Sequence, residues 1–343
     1  MSVKNLHNIC TKYFADSVEW CNHPEHPEIF ACGTYQLDDT NSNCVRRKGS
    51  IVMLKFIKNE EDTSLCEVFE KDSDGILDQK WLKGASRPLL AAATSSGRIN
   101  LYSWEEQQLT ELLSYQINAE TQDNIALSLD WNRQSQKILV SDSKGCVSVL
   151  NLDNYSTISR MDCWKAHSFE AWTCAFDKNN PNIILTGGDD CFCKIYDLRD
   201  TSKAQNVIKT HEAGVTSLLS FEKNSNYFCT GSYDENLRLF DWRSPKSPIN
   251  STFLSGGIWR LKGNPFEEDL VACACMYQNF TVCRINFQEL QSNIEATFNG
   301  DHKSICYGID WCPVQGSSGK YFFGACSFYD NLLTVNSYSK PGK

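Results

Sequence analysis

The chain has 343 residues, with 33 basic against 42 acidic side chains, a formal net charge of −9 and 41% hydrophobic content. That length permits one large domain or two smaller ones. The acidic balance excludes a basic nucleic-acid footprint, since Arg46-Arg47-Lys48 is too short to form one. No apolar run reaches the ~18 residues of a membrane-spanning helix, and the first residues, MSVKNLHNICTKYF, lack the apolar stretch of a secretory signal.

These features predict a soluble cytoplasmic protein. The seventeen cysteines sit mostly in apolar alternating patterns such as Cys191-Phe192-Cys193 and Cys273-Ala274-Cys275, as small core residues do in a reducing compartment. No CxxC pair suggests zinc.

In chain order, residues 18–57 open with VEWCNHPEHPEIFACGTY and close on IVMLKF. Residues 81–104 contain PLLAAATSSGRINLYSW, and residues 125–152 contain IALSLDWN followed by ILVSDSKGCVSVLNL. The next two units align without gaps at an offset of 44: His167 to Asp197, ending TGGDDCFCKIYD, and His211 to Asp241, ending TGSYDENLRLFD. Residues 257–287 and 302–336 supply two degenerate copies, and period-two alternation in GRINLYSW, GCVSVLNL and DENLRLFD predicts half-buried strands.

The two aligned units resemble the WD repeat, with Tyr-Asp and Phe-Asp in place of Trp-Asp. Seven such units predict an all-β, seven-bladed WD40-type β-propeller forming a single domain over 1–343. The last unit ends about one strand short, so Leu6 to Tyr13 is expected to add the outer strand that locks the ring. Irregular insertions near 36–49 and 59–80 are expected as surface loops.

The spacing also assigns His167–Asp190, His211–Asp234 and His302–Asp330 as blade braces rather than catalytic dyads, because a buried aspartate needs such a partner. Glu170 and Trp172 instead lie where the chain enters an innermost strand, at the rim of the channel. The positions matching Trp172 are Thr216, Trp259 and Tyr307. These aromatics either fill the core of a tight ring or form a rim that holds a cation or a flat ring. Arg260 and Asp310 adjoin this set, with Asp310 and Asp130 in DW pairs that also suit a structural role. Asp189 reads as a solvated turn residue, Cys326 as packed and Ser327 as turn-bonding. GxSxG, HExxH, GxGxxG and P-loop signatures are absent.

Several strings are more specific than generic repeat language: HSFEAW (167–172), GGDD (187–190), GSYDE (231–235), GGIWRLKGNPF (256–266), ACMYQNF (274–280), YGIDW (307–311) and ACSFYDNLL (325–333). Together they resemble the WD-repeat family of diphthine methyl ester hydrolases, long labelled diphthine methyltransferases. Gly263-Asn264-Pro265 departs from that pattern, where an aromatic and a histidine more often precede the proline.

The resemblance implies a carboxylic ester hydrolase that removes the methyl ester from methylated diphthine on translation elongation factor 2 during diphthamide biosynthesis. It implies no metal or organic cofactor. The partner is the elongation factor, with no direct nucleic acid and no membrane, and the protein is taken as a monomer. For that substrate, Trp172, Trp259 and Tyr307 would contact the trimethylammonium group. Glu170 would reinforce that site or act as general base, Arg260 would stabilise the carboxyl group or oxyanion, and Asp310 is a second base candidate. The competing expectation is a noncatalytic WD-repeat scaffold or peptide-binding module using the same rim.

Overall fold

A computed structural model describes residues 2–38, 46–59, 62–118, 123–132, 134, 136–316 and 319–340. Its strands form seven antiparallel sheets arranged as the blades of a β-propeller. The innermost strands are β2 (Ala15–Trp20), β7 (Ile76–Trp81), β11 (Ala126–Asn132), β15 (Thr173–Phe176), β19 (Val215–Ser220), β23 (Ile258–Gly263) and β27 (Cys306–Trp311).

The blades cohere because each sheet buries both faces against its neighbours. One hydrophobic cluster fills each of the seven seams. The seam of the first and last blades, for example, joins Val18, Phe30 and Leu54 to Phe322, Cys326 and Val335. Central strands such as LLAAAT of β8 (Leu89–Thr94) are buried along their whole length, so they read as continuous apolar runs instead of alternating ones.

The ring closes through strand β1 (Val3–Cys10), which pairs antiparallel with β29 (Leu332–Ser339). The expected closing strand is therefore real but lies three residues nearer the start than Leu6 to Tyr13.

The stretch expected as a loop over 59–80 instead contains β6 (Thr63–Asp74), the outer strand of the first blade, and most of β7. Outer strands face water on one side and a blade edge on the other, and the exposure along β6 never settles into a buried stripe. Its polar sequence therefore carries no strand signal. Within 36–49, Gln36–Asp38 forms a short strand against the start of β5 (Arg46–Lys58); the remainder, 39–45, lies outside the described residues.

The braces differ from blade to blade. His167 Nδ1 meets Asp190 Oδ1 at 2.8 Å and Nε2 meets Thr186 Oγ1 at 2.9 Å, as expected. Burial alone would raise the Asp190 carboxyl, but His167, the Ser168 N–H and Lys194 together hold it at about 2.

In the next blade Arg238 takes Asp234 at 2.7 Å. His211 keeps only Thr230, and its Nδ1 is buried without a partner. The expected His211–Asp234 bond is thus replaced by an ion pair. In the last blade Ser327 intervenes, donating to Asp330 Oδ1 (2.5 Å) and so accepting from His302 Nδ1–H (2.6 Å). Ser327 and Cys326 are both fully buried.

Deleting residues 1–12 would leave β29 as an unpaired edge strand, the arrangement that promotes association. The truncated chain should melt roughly 5 °C or more below the full chain and form oligomers on size exclusion. An unchanged melt with a monomeric profile would contradict β1 as the lock.

Candidate active site at the axial channel

The channel-lining side chains are positioned by a repeated irregularity. In six innermost strands the pairing skips one residue, always the second: Asp16, Leu77, Leu127, Thr216, Trp259 and Tyr307. In β15, Trp172 immediately precedes the first paired residue, Thr173. A bulge leaves its extra residue out of the ladder and re-aims the side chain. Seven residues at equivalent places thus surround one end of the channel.

The three expected aromatics are brought together there. Trp172 lies 5.7 Å from Trp259 by ring centroid, and Trp259 stacks on Tyr307 at 5.0 Å. Tyr233, from a turn in the fifth blade, completes the group at 6.1 Å from Trp172 and 5.9 Å from Trp259. Phe328 continues the cluster, touching Tyr307, Tyr35 and Phe14. Asp189 is not simply solvated: its Oδ1 accepts the Trp172 Nε1–H at 2.9 Å and so fixes that ring. Trp259 Nε1 is buried and unpartnered.

Glu170 stands at the same mouth, two residues before Trp172, and its charge joins that of Asp189 in pushing up the Tyr233 hydroxyl, which burial raises most.

Arg260, one residue beyond Trp259, points deeper. Its Nη1 lies 3.4 Å from Asp78 Oδ1, and Nη2 donates to the Leu77 carbonyl at 3.5 Å. From Asp78 a chain of ion pairs descends the channel: Lys80 at 3.6 Å, Glu19 at 3.6 Å from Lys80, then Lys262, then Asp310 at 3.6 Å.

Asp310 follows Tyr307 by three residues on one strand, about 10 Å further along the channel. There it accepts the Trp20 N–H at 2.6 Å, as Asp130 accepts the Phe176 N–H at 2.8 Å. Burial raises its carboxyl to about 6, against the pull of Lys262. Asp310 therefore faces a cavity of about 700 Å³ with Glu19, Lys80, Asp130 and Lys262, not the aromatic mouth. The structure gathers Glu170, Trp172, Trp259 and Tyr307 at one end, whereas Arg260, below them, lines the same charged cavity as Asp310.

This geometry belongs to a chain with close relatives. The family described as WD domain, G-beta repeat matches residues 159–197 and 202–241. The diphthine methyltransferase homolog of Dictyostelium discoideum is 34% identical, covering 94% of this chain and 96% of that protein. The diphthine methyltransferases of Homo sapiens (34%, covering 89% and 74%) and Schizosaccharomyces pombe (31%, covering 90% of each) are similar.

The chain belongs to the diphthine methyltransferase family.

A chain in the crystal structure of the mitotic checkpoint complex superposes with a TM-score of 0.70, covering 99% of this chain and 91% of that one; at 15% identity the likeness is one of fold. Among the described residues, no helix is long and apolar enough to cross a membrane.

In this family member the most informative residue missed from sequence is Asp16. It occupies the bulge position of the first blade, is 1% exposed, and its Oδ2 has no partner. Burial pushes its carboxyl well above the usual range, Arg260 pulls it down and Asp78 pushes it up; it in turn acts on the hydroxyls of Tyr35, Tyr233 and Tyr307. A signal was available: EW, KW, DW and DW at Glu19-Trp20, Lys80-Trp81, Asp130-Trp131 and Asp310-Trp311 end four inner strands in register. Counting back four residues from each tryptophan finds the bulge.

Because folded Asp16 holds its proton more tightly than the unfolded chain does, its contribution to stability falls as pH rises from about 4 towards its folded value. Asp16→Asn mimics the protonated form. It should stabilise the protein at pH 7 by roughly 1–3 kcal/mol, with the gap to wild type closing as pH approaches 4 in denaturant melts. A gap independent of pH would contradict a neutral buried carboxyl.

Proposed function

We propose that this protein is a carboxylic ester hydrolase that removes the methyl ester from methylated diphthine on translation elongation factor 2, in the diphthamide pathway. It would act as a cytoplasmic monomer and without a metal or organic cofactor. The observation that carries the reading is the composition of the bulge layer. Four aromatic rings and the carboxylates Glu170 and Asp189 crowd one mouth, directly above a guanidinium. A quaternary ammonium is attracted to aromatic faces and to nearby negative charge, while an ester carbonyl needs a fixed positive group for its developing oxyanion. Membership of a family named for diphthine supports the same substrate.

In this reading Trp172, Trp259 and Tyr307, with Tyr233, receive the trimethylammonium group. Glu170 takes a proton from water as it attacks the ester carbonyl. Arg260 stabilises the tetrahedral oxyanion, and collapse expels methoxide, which leaves as methanol after gaining a proton; the product is a carboxylate. Asp310 is the alternative base, reached if the ester enters the charged cavity that Arg260 and Asp310 both line. Phe169, Tyr277 and Tyr329 are each more than half exposed, and these apolar rings around the mouth suit docking of a protein substrate.

The test is purified protein with elongation factor 2 bearing methylated diphthine, following loss of the methyl mass on the modified peptide. Arg260→Gln should slow turnover by about 10²–10³-fold and Glu170→Gln by about 10²-fold, with Asp310→Asn the smaller loss and circular dichroism unchanged. Undiminished turnover in all three would sink these roles. Tight binding of the elongation factor without methyl loss would replace the enzyme with a docking module.

A further inference from the structure

Beside the aromatic mouth lies a second, smaller cavity of about 140 Å³ at the seam of the fifth and sixth blades. Three turns build it: residues 233–235, 254–257 and 276–278. Tyr233, Tyr277, Met276 and Glu235 are among the residues that line it.

The turns close tightly. A Cβ on Gly256 would stand 2.7 Å from the Met276 carbonyl oxygen, and the Met276 N–H donates to the Gly257 carbonyl at 2.7 Å. Three non-glycine residues of this one cavity, Glu235, Ser255 and Tyr277, have left-handed backbones with φ of 68°, 62° and 61°. Such conformations are uncommon for side-chain-bearing residues and cluster at ligand clamps.

The chemistry of the walls is one-sided. Tyr277 is 74% exposed, so its ring face is uncovered. Arg238, three residues on, is committed to Asp234, and among the described residues no ion pair engages Glu235. A carboxylate without a counter-ion, two aromatic faces and a polarisable thioether are the groups that attract an organic cation.

We propose that this cavity is a binding subsite for an organic cation presented by the protein substrate, with Tyr233 and Tyr277 as its aromatic walls and Glu235 as its counter-ion. The cation is a lysine or arginine side chain close to the modified residue, whose own trimethylammonium sits at the rings of the mouth. The source, though not the site, rests on the hydrolase reading. Tyr233 is shared with the mouth, so occupancy of the cavity would orient the substrate beside Glu170 and Arg260.

The probes are tetramethylammonium and guanidinium chloride at millimolar concentration, each titrated at constant ionic strength against the whole protein and read by saturation-transfer NMR and calorimetry. Saturable binding is expected, weakened roughly three- to ten-fold in Tyr277→Ala and in Glu235→Gln, with Met161→Ser, on the exposed outer strand of the third blade, unchanged. Preference for guanidinium is expected of a site for a basic side chain, and preference for tetramethylammonium would overturn that occupant. In turnover, Tyr277→Ala should raise KM with kcat nearly unchanged. Absence of saturable binding, or equal affinity in all variants, would overturn the subsite. Cation binding that tracks the cavity in a protein that fails to hydrolyse the ester would leave the subsite standing and remove the hydrolase.

Discussion

The mouth of the channel depends on one recurring backbone constraint, the bulge at the second residue of six innermost strands. Seven sheets meeting at an axis would present alternating side chains to the channel if their strands were regular. The inserted residue breaks that alternation near one end only, and successive blades place Asp16, Leu77, Leu127, Thr216, Trp259 and Tyr307 there. Because the strands beneath are locked by seven buried seams, those side chains are held by a rigid frame and not by loops. The turns then add Tyr233, Tyr277, Asp189 and Phe328 from above. Chemistry on a propeller needs this combination of fixed floor and variable rim.

Below the aromatic layer the channel is governed by charge. Removing one partner of a buried ion pair typically costs about 3–5 kcal/mol, since the other charge is stranded. The line from Arg260 through Asp78, Lys80, Glu19 and Lys262 to Asp310 couples the mouth to the large cavity at the far end. Asp78 illustrates the balance. Burial would raise its carboxyl, yet Arg260, Lys80 and the Leu129 N–H hold it below the ordinary value. Asp16, with no such set of donors, goes the other way. Two aspartates one layer apart are therefore shifted in opposite directions, the kind of divergence that separates acid from base in catalytic sites.

Much of the architecture was legible in the sequence because repetition amplifies weak signals. The spacing of histidine, turn aspartate and closing aspartate located two blades, and the count of seven followed. What escaped was whatever lacked a buried stripe, above all β6, whose alternation of half-buried and exposed positions is broken midway at the bulge opposite Met53 and Leu54. The aromatic half of the site was legible for the same reason: counting from His167, His211 and His302 reaches Trp172, Thr216 and Tyr307. The first blade has no such histidine, so Asp16 went unseen. Tyr233 and Tyr277 sit in turns, where sequence spacing does not encode which rings converge. Asp310 was grouped with the mouth because it neighbours Tyr307 in sequence, whereas three residues of extended chain carry it to another layer.

The central claim is that water, not a methyl acceptor or donor, takes part in the bond-breaking step at this mouth. The most direct measurement is to incubate the protein with elongation factor 2 carrying methylated diphthine in water enriched in oxygen-18, then analyse the modified peptide and the released small molecule. Hydrolysis through the tetrahedral oxyanion predicts one labelled oxygen in the new carboxylate and unlabelled methanol. A carboxylate free of label after the methyl is lost would mean cleavage on the methyl side of the ester oxygen, and would contradict the acyl attack assigned to Glu170 and Arg260.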